Sequence, residues 1–142
     1  MSEPRYYIGL MSGTSVDAAD AAIVRFDVDG NRPQILATHA QAPDAGLRDD
    51  LLHLSQQVAG VSLAKFGELD QRVGEWFARA AIAVMDKAQV STTDVDAIGS
   101  HGQTVRHEPD ARYPFSLQLG SPSRIAARTG CRVVGDFRNS DI

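Results

Sequence analysis

Small residues, hydroxyls and carboxylates crowd into one stretch near the amino terminus, Gly9-Leu10-Met11-Ser12-Gly13-Thr14-Ser15-Val16-Asp17-Ala18-Ala19-Asp20. Glycine and serine let backbone N–H groups approach phosphate oxygens and permit dihedrals that other residues avoid. Asp17 or Asp20 can then hold a hydrated Mg²⁺, because a carboxylate placed directly against phosphate is repelled. The same composition suits an ordinary hairpin turn, and spacing alone does not choose between the two. The stretch is not a Walker A loop, since the GxxxxGK[ST] lysine is absent and the next apolar run reads as a strand. GLMSGTS also lacks the GxSxG elbow of serine hydrolases.

A second polar cluster, Ser100-His101-Gly102-Gln103-Thr104 with Arg106, His107 and Glu108, follows a short apolar run. It reads as a loop at a strand end, where ligands gather in α/β folds. His101 can orient a hydroxyl or act as a base, and Arg106 can pair with a carboxylate; a solvated polar loop is an equal alternative. The third cluster is Asp136-Phe137-Arg138 with Asp141. It offers either joint recognition of a sugar hydroxyl and an anion or a surface ion pair of little energetic weight. No zinc site is expected, because the histidines and Cys131 reproduce neither HExxH nor paired CxxC spacing.

These clusters need elements to hold them. Tyr6 to Met11 and Ala21 to Phe26 are apolar runs flanking the first loop, and Gln34 to Ala40 follows turn chemistry at Asp27, Asp29, Gly30 and Asn31. An antiparallel meander is predicted. Leu47, Leu51, Leu54 and Val58 recur at helical spacing behind a capping Asp44, with an end near Ala59-Gly60. A longer helix carries Phe66, Leu69, Val73, Trp76, Phe77, Ala80, Ala81 and Val84 as one apolar stripe, with Glu68, Arg72, Glu75 and Arg79 facing water. Val95 to Gly99 reads as a brief strand, Ser116 to Leu119 as another, and Ser121-Pro122 as the start of a helix ended by Gly130. Arg132 to Gly135 is a last short strand delivering Asp136. The fold class is α/β, helices against a mixed sheet, in one domain over residues 1–142.

The 142 residues carry a net charge of -4, with basic residues scattered singly, which gives no general attraction for nucleic acid or anionic membranes. No secretory signal or membrane-length apolar run is present, and the single cysteine excludes an internal disulfide, so a cytoplasmic setting is expected. Cys131 reads as a small apolar residue entering a strand.

Three segments together resemble one family. Gly9 to Asp20 is similar to the GLMSGTSxDGxD signature of anhydro-N-acetylmuramic acid kinases, Ile98 to His107 to their IGSHGQTxxH segment, and Val134 to Asp141 to their VADFRxxD segment. The resemblance implies the first lobe of an RNase H-like, actin-like ATPase, with nucleotide bound between two lobes. It implies ATP and Mg²⁺ as cofactors, with Gly13, Thr14, Ser15, Val16, Asp17, Ala18, Ala19 and Asp20 forming the phosphate loop and Asp17 and Asp20 serving the metal. His101, Gln103, Thr104, Asp136 and Arg138 would shape the amino-sugar site.

The implied reaction opens the 1,6-anhydro ring with water while the γ-phosphoryl group moves to O6, giving N-acetylmuramic acid 6-phosphate for cell-wall recycling. The family's catalytic base lies in a GxxFDxGPGN-like segment that these residues do not contain, and neither do they contain an AAGGQGAPL-like continuation or a second lobe. The chain is therefore expected to be an incomplete, inactive portion of a homodimeric kinase. Another sugar kinase of the superfamily, or a noncatalytic interaction domain derived from the lobe, are the alternatives. Ala18 stands where the family pattern has glycine, and Ala19 where it has a larger aliphatic residue, which predicts an ordinary dihedral at Ala18 and a looser second strand.

Overall fold

In the computed structural model, which describes residues 3–29, 32–56 and 60–142, the opening meander is formed as expected. Strands β1 (Arg5–Ser12), β2 (Ala19–Phe26) and β3 (Pro33–Gln41) pair antiparallel in turn. Period-two alternation sorts their side chains: Ile8, Leu10 and Ser12 of β1 and Ala19, Ala21 and Ile23 of β2 are buried, while Gly9, Met11 and Asp20 point to the other face. The predicted turn residues Gly30 and Asn31, together with Val58 and Ala59, lie outside the described residues.

Helix α1 (Ala45–Gln56) starts where Asp44 Oδ1 accepts the Leu47 N–H at 2.7 Å, and it buries Leu47, Leu51 and Leu54. Helix α2 (Leu63–Ala88) is capped by the Ser62 hydroxyl, which accepts the Lys65 N–H, and ends at Gln89 in the left-handed region. Its stripe fills the core against β1, β2 and β3. Trp76 and Phe77 are fully buried and meet edge to face at 5.3 Å. The Trp76 indole N–H donates to the Gln41 carbonyl at 2.8 Å, which satisfies the ring's single polar atom and fixes the end of β3. Arg72 Nη1 lies 2.7 Å from Asp50 Oδ2 and latches α2 to α1. That hydrogen bond, aided by Lys65, holds the Asp50 carboxyl below the usual carboxylate range.

After a 3₁₀ turn at Thr92–Asp94, β4 (Val95–Glu108) runs parallel to β1, with Ile98 beside Ile8 and Gly99 beside Gly9. Strand β5 (Phe115–Leu119) pairs antiparallel with its second half. Helix α3 (Pro122–Thr129) follows, begun by the Ser121 cap and ended by left-handed Gly130, both as expected. Strand β6 (Val133–Val134) runs parallel to β4 at Ile98 and Gly99. The mixed sheet is ordered β3-β2-β1-β4-β5, with β6 also on β4. Cys131, just before β6, is 5% exposed.

Two expectations need correction. Ser100 to Thr104 is strand, not loop, because its backbone has partners on both sides: β1 at Leu10 and Ser12, and β5 from Gln103 onward. Polar side chains do not prevent a strand whose N–H and C=O groups are satisfied. Glu75 and Arg72 do not simply face water: Arg72 pairs with Asp50, and α3 packs along α2, so Arg128 Nε reaches Glu75 at 2.8 Å and Ala78 is buried. Among the described residues, no helix is long and apolar enough to cross a membrane.

Candidate active site

The loop over residues 13–18 leaves β1 and re-enters β2 at the Ser12–Ala19 pair, at the same end of the sheet toward which parallel β4 points. Val16 adopts φ 55°, which is strained for a β-branched residue, yet its side chain is 2% exposed and plugs into the core. Its N–H closes a turn onto the Gly13 carbonyl at 3.1 Å. Gln103 Nε2 donates to that same carbonyl at 3.1 Å. Arg48 of α1 donates to the Ser15 carbonyl at 3.2 Å and lies 3.4 Å from Asp17 Oδ1. With its base anchored in this way, the loop leaves Gly13, Thr14, Ser15 and Asp17 exposed. Ala18 keeps an ordinary dihedral, and Ala19 is fully buried between its neighbours in β2.

Several of the remaining predicted residues line one of two depressions, and the others lie nearby in sequence or contact. One, of about 640 Å³, lies on the open face of the sheet and is lined by Gly9, Met11, Asp20, His39, Gly99 and Phe137. His101 joins it by packing against the Phe137 ring at 6.2 Å between centroids. Asp136 precedes Phe137 in a left-handed conformation, φ 56°, and its Oδ1 accepts from Asn139 Nδ2. Asn139 is itself fixed by accepting the Ser116 N–H at 2.9 Å. Arg138 is half-buried in the 3₁₀ turn Arg138–Asp141.

The second depression, about 310 Å³, contains Thr14, Val16, Gln103, Thr104 and His107. Thr104 Oγ1 accepts from Gln118 Nε2 at 3.1 Å, and Gln103 is 1% exposed. Asp17 and Asp20 have different surroundings. Asp17 is tied to Arg48, whereas Asp20 sits between buried Ala19 and Ala21 and so faces the open side. Among the described residues, no group of three His, Cys, Asp or Glu side chains surrounds a single point.

Residues 5–142 match the family described as anhydro-N-acetylmuramic acid kinase along that whole extent. The chain belongs to the anhydro-N-acetylmuramic acid kinase family. Relatives of that name from Shewanella halifaxensis and Coxiella burnetii are 46% and 45% identical over 96% of the chain, and one from Shewanella denitrificans is 45% identical over all of it. The chain spans 36%, 35% and 38% of their respective lengths. Within this family's pattern, Ala18 is accommodated because the left-handed position belongs to Val16. Ala19, where a looser second strand is expected, is 0% exposed.

Sequence reasoning did not find Arg48, Asn139 or Phe137 as partners of these residues. Arg48 lies in a helix legible only through its leucines, and nothing in its spacing points to a loop over 30 residues earlier.

Proposed function

We propose that this chain is the first lobe, RNase H-like and actin-like in architecture, of a cytoplasmic ATP-dependent sugar kinase. The full-length protein, in this reading, converts 1,6-anhydro-N-acetylmuramic acid, ATP and water to N-acetylmuramic acid 6-phosphate and ADP during cell-wall recycling. The observation that carries the reading is the family match over residues 5–142. The tethered loop beyond the parallel β1–β4 pair supports it, since ligands of open α/β sheets bind beyond the carboxyl ends of such strands.

In that reading Gly13 to Asp20 receive the triphosphate. The exposed Gly13, Thr14 and Ser15 offer backbone and hydroxyl donors, and Asp17 or Asp20 orders the water around Mg²⁺. Mg²⁺ would supply neutralisation of the phosphate oxygens as charge develops on them. His101, Asp136 and Arg138 flank the amino sugar, with Gln103 and Thr104 beneath the loop. Because the chain spans about a third of its relatives' length, the general base, the second lobe and the homodimer contact are assigned to sequence outside these residues.

The test is a coupled assay of the full-length protein with Mg²⁺, ATP and the anhydro sugar, identifying the product by mass. Sugar phosphate is expected, with Asp17→Ala lowering its formation by at least tenfold. A folded full-length protein that forms none would overturn the assignment.

A further inference from the structure

We propose that Gln103 is a positioning residue of the β1–β2 loop, aimed at Gly13 by the bulge at Gly102, and that it does not touch the sugar. Its bearing on catalysis rests on the loop being the phosphate cradle; its bearing on the loop's geometry does not.

Between the Leu10–Ser100 and Ser12–Gln103 pairs, β1 advances two residues and β4 three. The extra residue is absorbed at Gly102, φ 77°. Simple alternation from His101, on the open face with Phe137, would place Gln103 on that same face. The bulge returns it to the core side, where it is 1% exposed. Only glycine serves at the bulge, because a Cβ there would lie 2.7 Å from the Leu119 carbonyl oxygen, in a dihedral region that L side chains avoid.

Once inside, the amide has one tenable orientation. Nε2 faces two carbonyl oxygens, Gly13 at 3.1 Å and Thr104 at 3.3 Å, and a flipped amide would set Oε1 against both. Oε1 is left buried without a partner among the described residues. A methionine would fill the same volume without that cost, so volume does not account for glutamine here. The Gly13 carbonyl also accepts the Val16 N–H, so one oxygen joins the β4 side chain to the turn that holds Val16 at its strained φ. Strained residues persist when several contacts over-determine them, and Gln103 supplies one.

The experiment is amide hydrogen exchange by NMR on the 142-residue chain and its Gln103→Met and Gln103→Glu variants. The Val16 amide should exchange about tenfold faster in Gln103→Met, and faster still in Gln103→Glu, where a carboxylate faces two carbonyls. Amides of α2 should keep their protection. An unchanged Val16 amide, or protection lost evenly over the whole chain as for a plain core residue, would overturn the proposal. If neither variant folds, the side-chain amide protons of Gln103 in the unsubstituted chain decide: slow exchange supports the tether, and exchange at the free-glutamine rate refutes it. None of this requires nucleotide. Failure of the full-length protein to bind Mg-ATP would remove the phosphate-cradle reading while leaving the tether standing.

Discussion

The helix-covered face of the sheet and its open face are written in the same strands, one residue out of step. On the covered side Ile8, Leu10, Ala21, Ile23 and Ile98 are at most 3% exposed, pressed by α1, α2 and α3. On the open side Gly9 stands beside Ala22 on β2 and Gly99 on β4, bordered by Met11 and Asp20. Packing dictates the first set. It cannot dictate the second, where a Cβ added to Gly9 would meet nothing within 4 Å. Within these residues, packing fixes the covered face and leaves the open face unconstrained.

The comparison can be broken by substitution. Trp76→Ala, at the centre of the covered face, removes a fully buried ring and its bond to Gln41. It should lower unfolding free energy by about 3–5 kcal/mol in urea titrations. A loss below about 1 kcal/mol would show that this side is not the stability-determining one.

Two glycine-to-alanine changes sharpen the contrast. Gly74 lies in α2, and a Cβ there would meet the Arg124 side chain at 3.0 Å and the Ser121 carbonyl oxygen at 3.1 Å. Overpacking against α3 should outweigh the helical gain, leaving Gly74→Ala about 1 kcal/mol less stable. Gly9→Ala has open space and should be neutral or stabilising by about 0.5 kcal/mol. Equal urea midpoints for the two variants would erase the distinction between the faces.

The smallest effect is electrostatic. Hydrogen bonding to Arg72 depresses the folded Asp50 carboxyl below its unfolded value, so its contribution is present at neutral pH and disappears as pH falls through the acid range. The unsubstituted chain should therefore lose more Tm than Asp50→Asn between about pH 6 and about pH 3. Parallel Tm curves would show that the latch between α1 and α2 adds nothing.

Much of the covered face was legible in advance. Leucine spacing marked α1, the apolar stripe marked α2, and Asp44, Ser121 and Gly130 marked helix ends where the structure has them. These signals are local, set by period and cap chemistry. The candidate site was legible as three segments but not as an arrangement. Alternation along β2 turns Asp20 to the open face, a one-residue bulge turns Gln103 inward, and Arg48 arrives from a different element. Each of those facts depends on register or tertiary approach, which no spacing rule encodes. The strand through Ser100 to Thr104 was hidden for the same reason, since its partners β1 and β5 rather than its own side chains make it a strand.

The parallel pairing of β1 with β4 also sets an order of events. Strand β1 meets β2 across a short loop, but its other edge waits for residues some 90 positions later in the chain. On the ribosome that interval is on the order of ten seconds, during which the middle of the future sheet is a rim. An unpaired edge invites pairing with other chains, and closure over so long a separation is slow. The edge that becomes the centre of the finished sheet is thus left unpaired while the whole of α2 is being made.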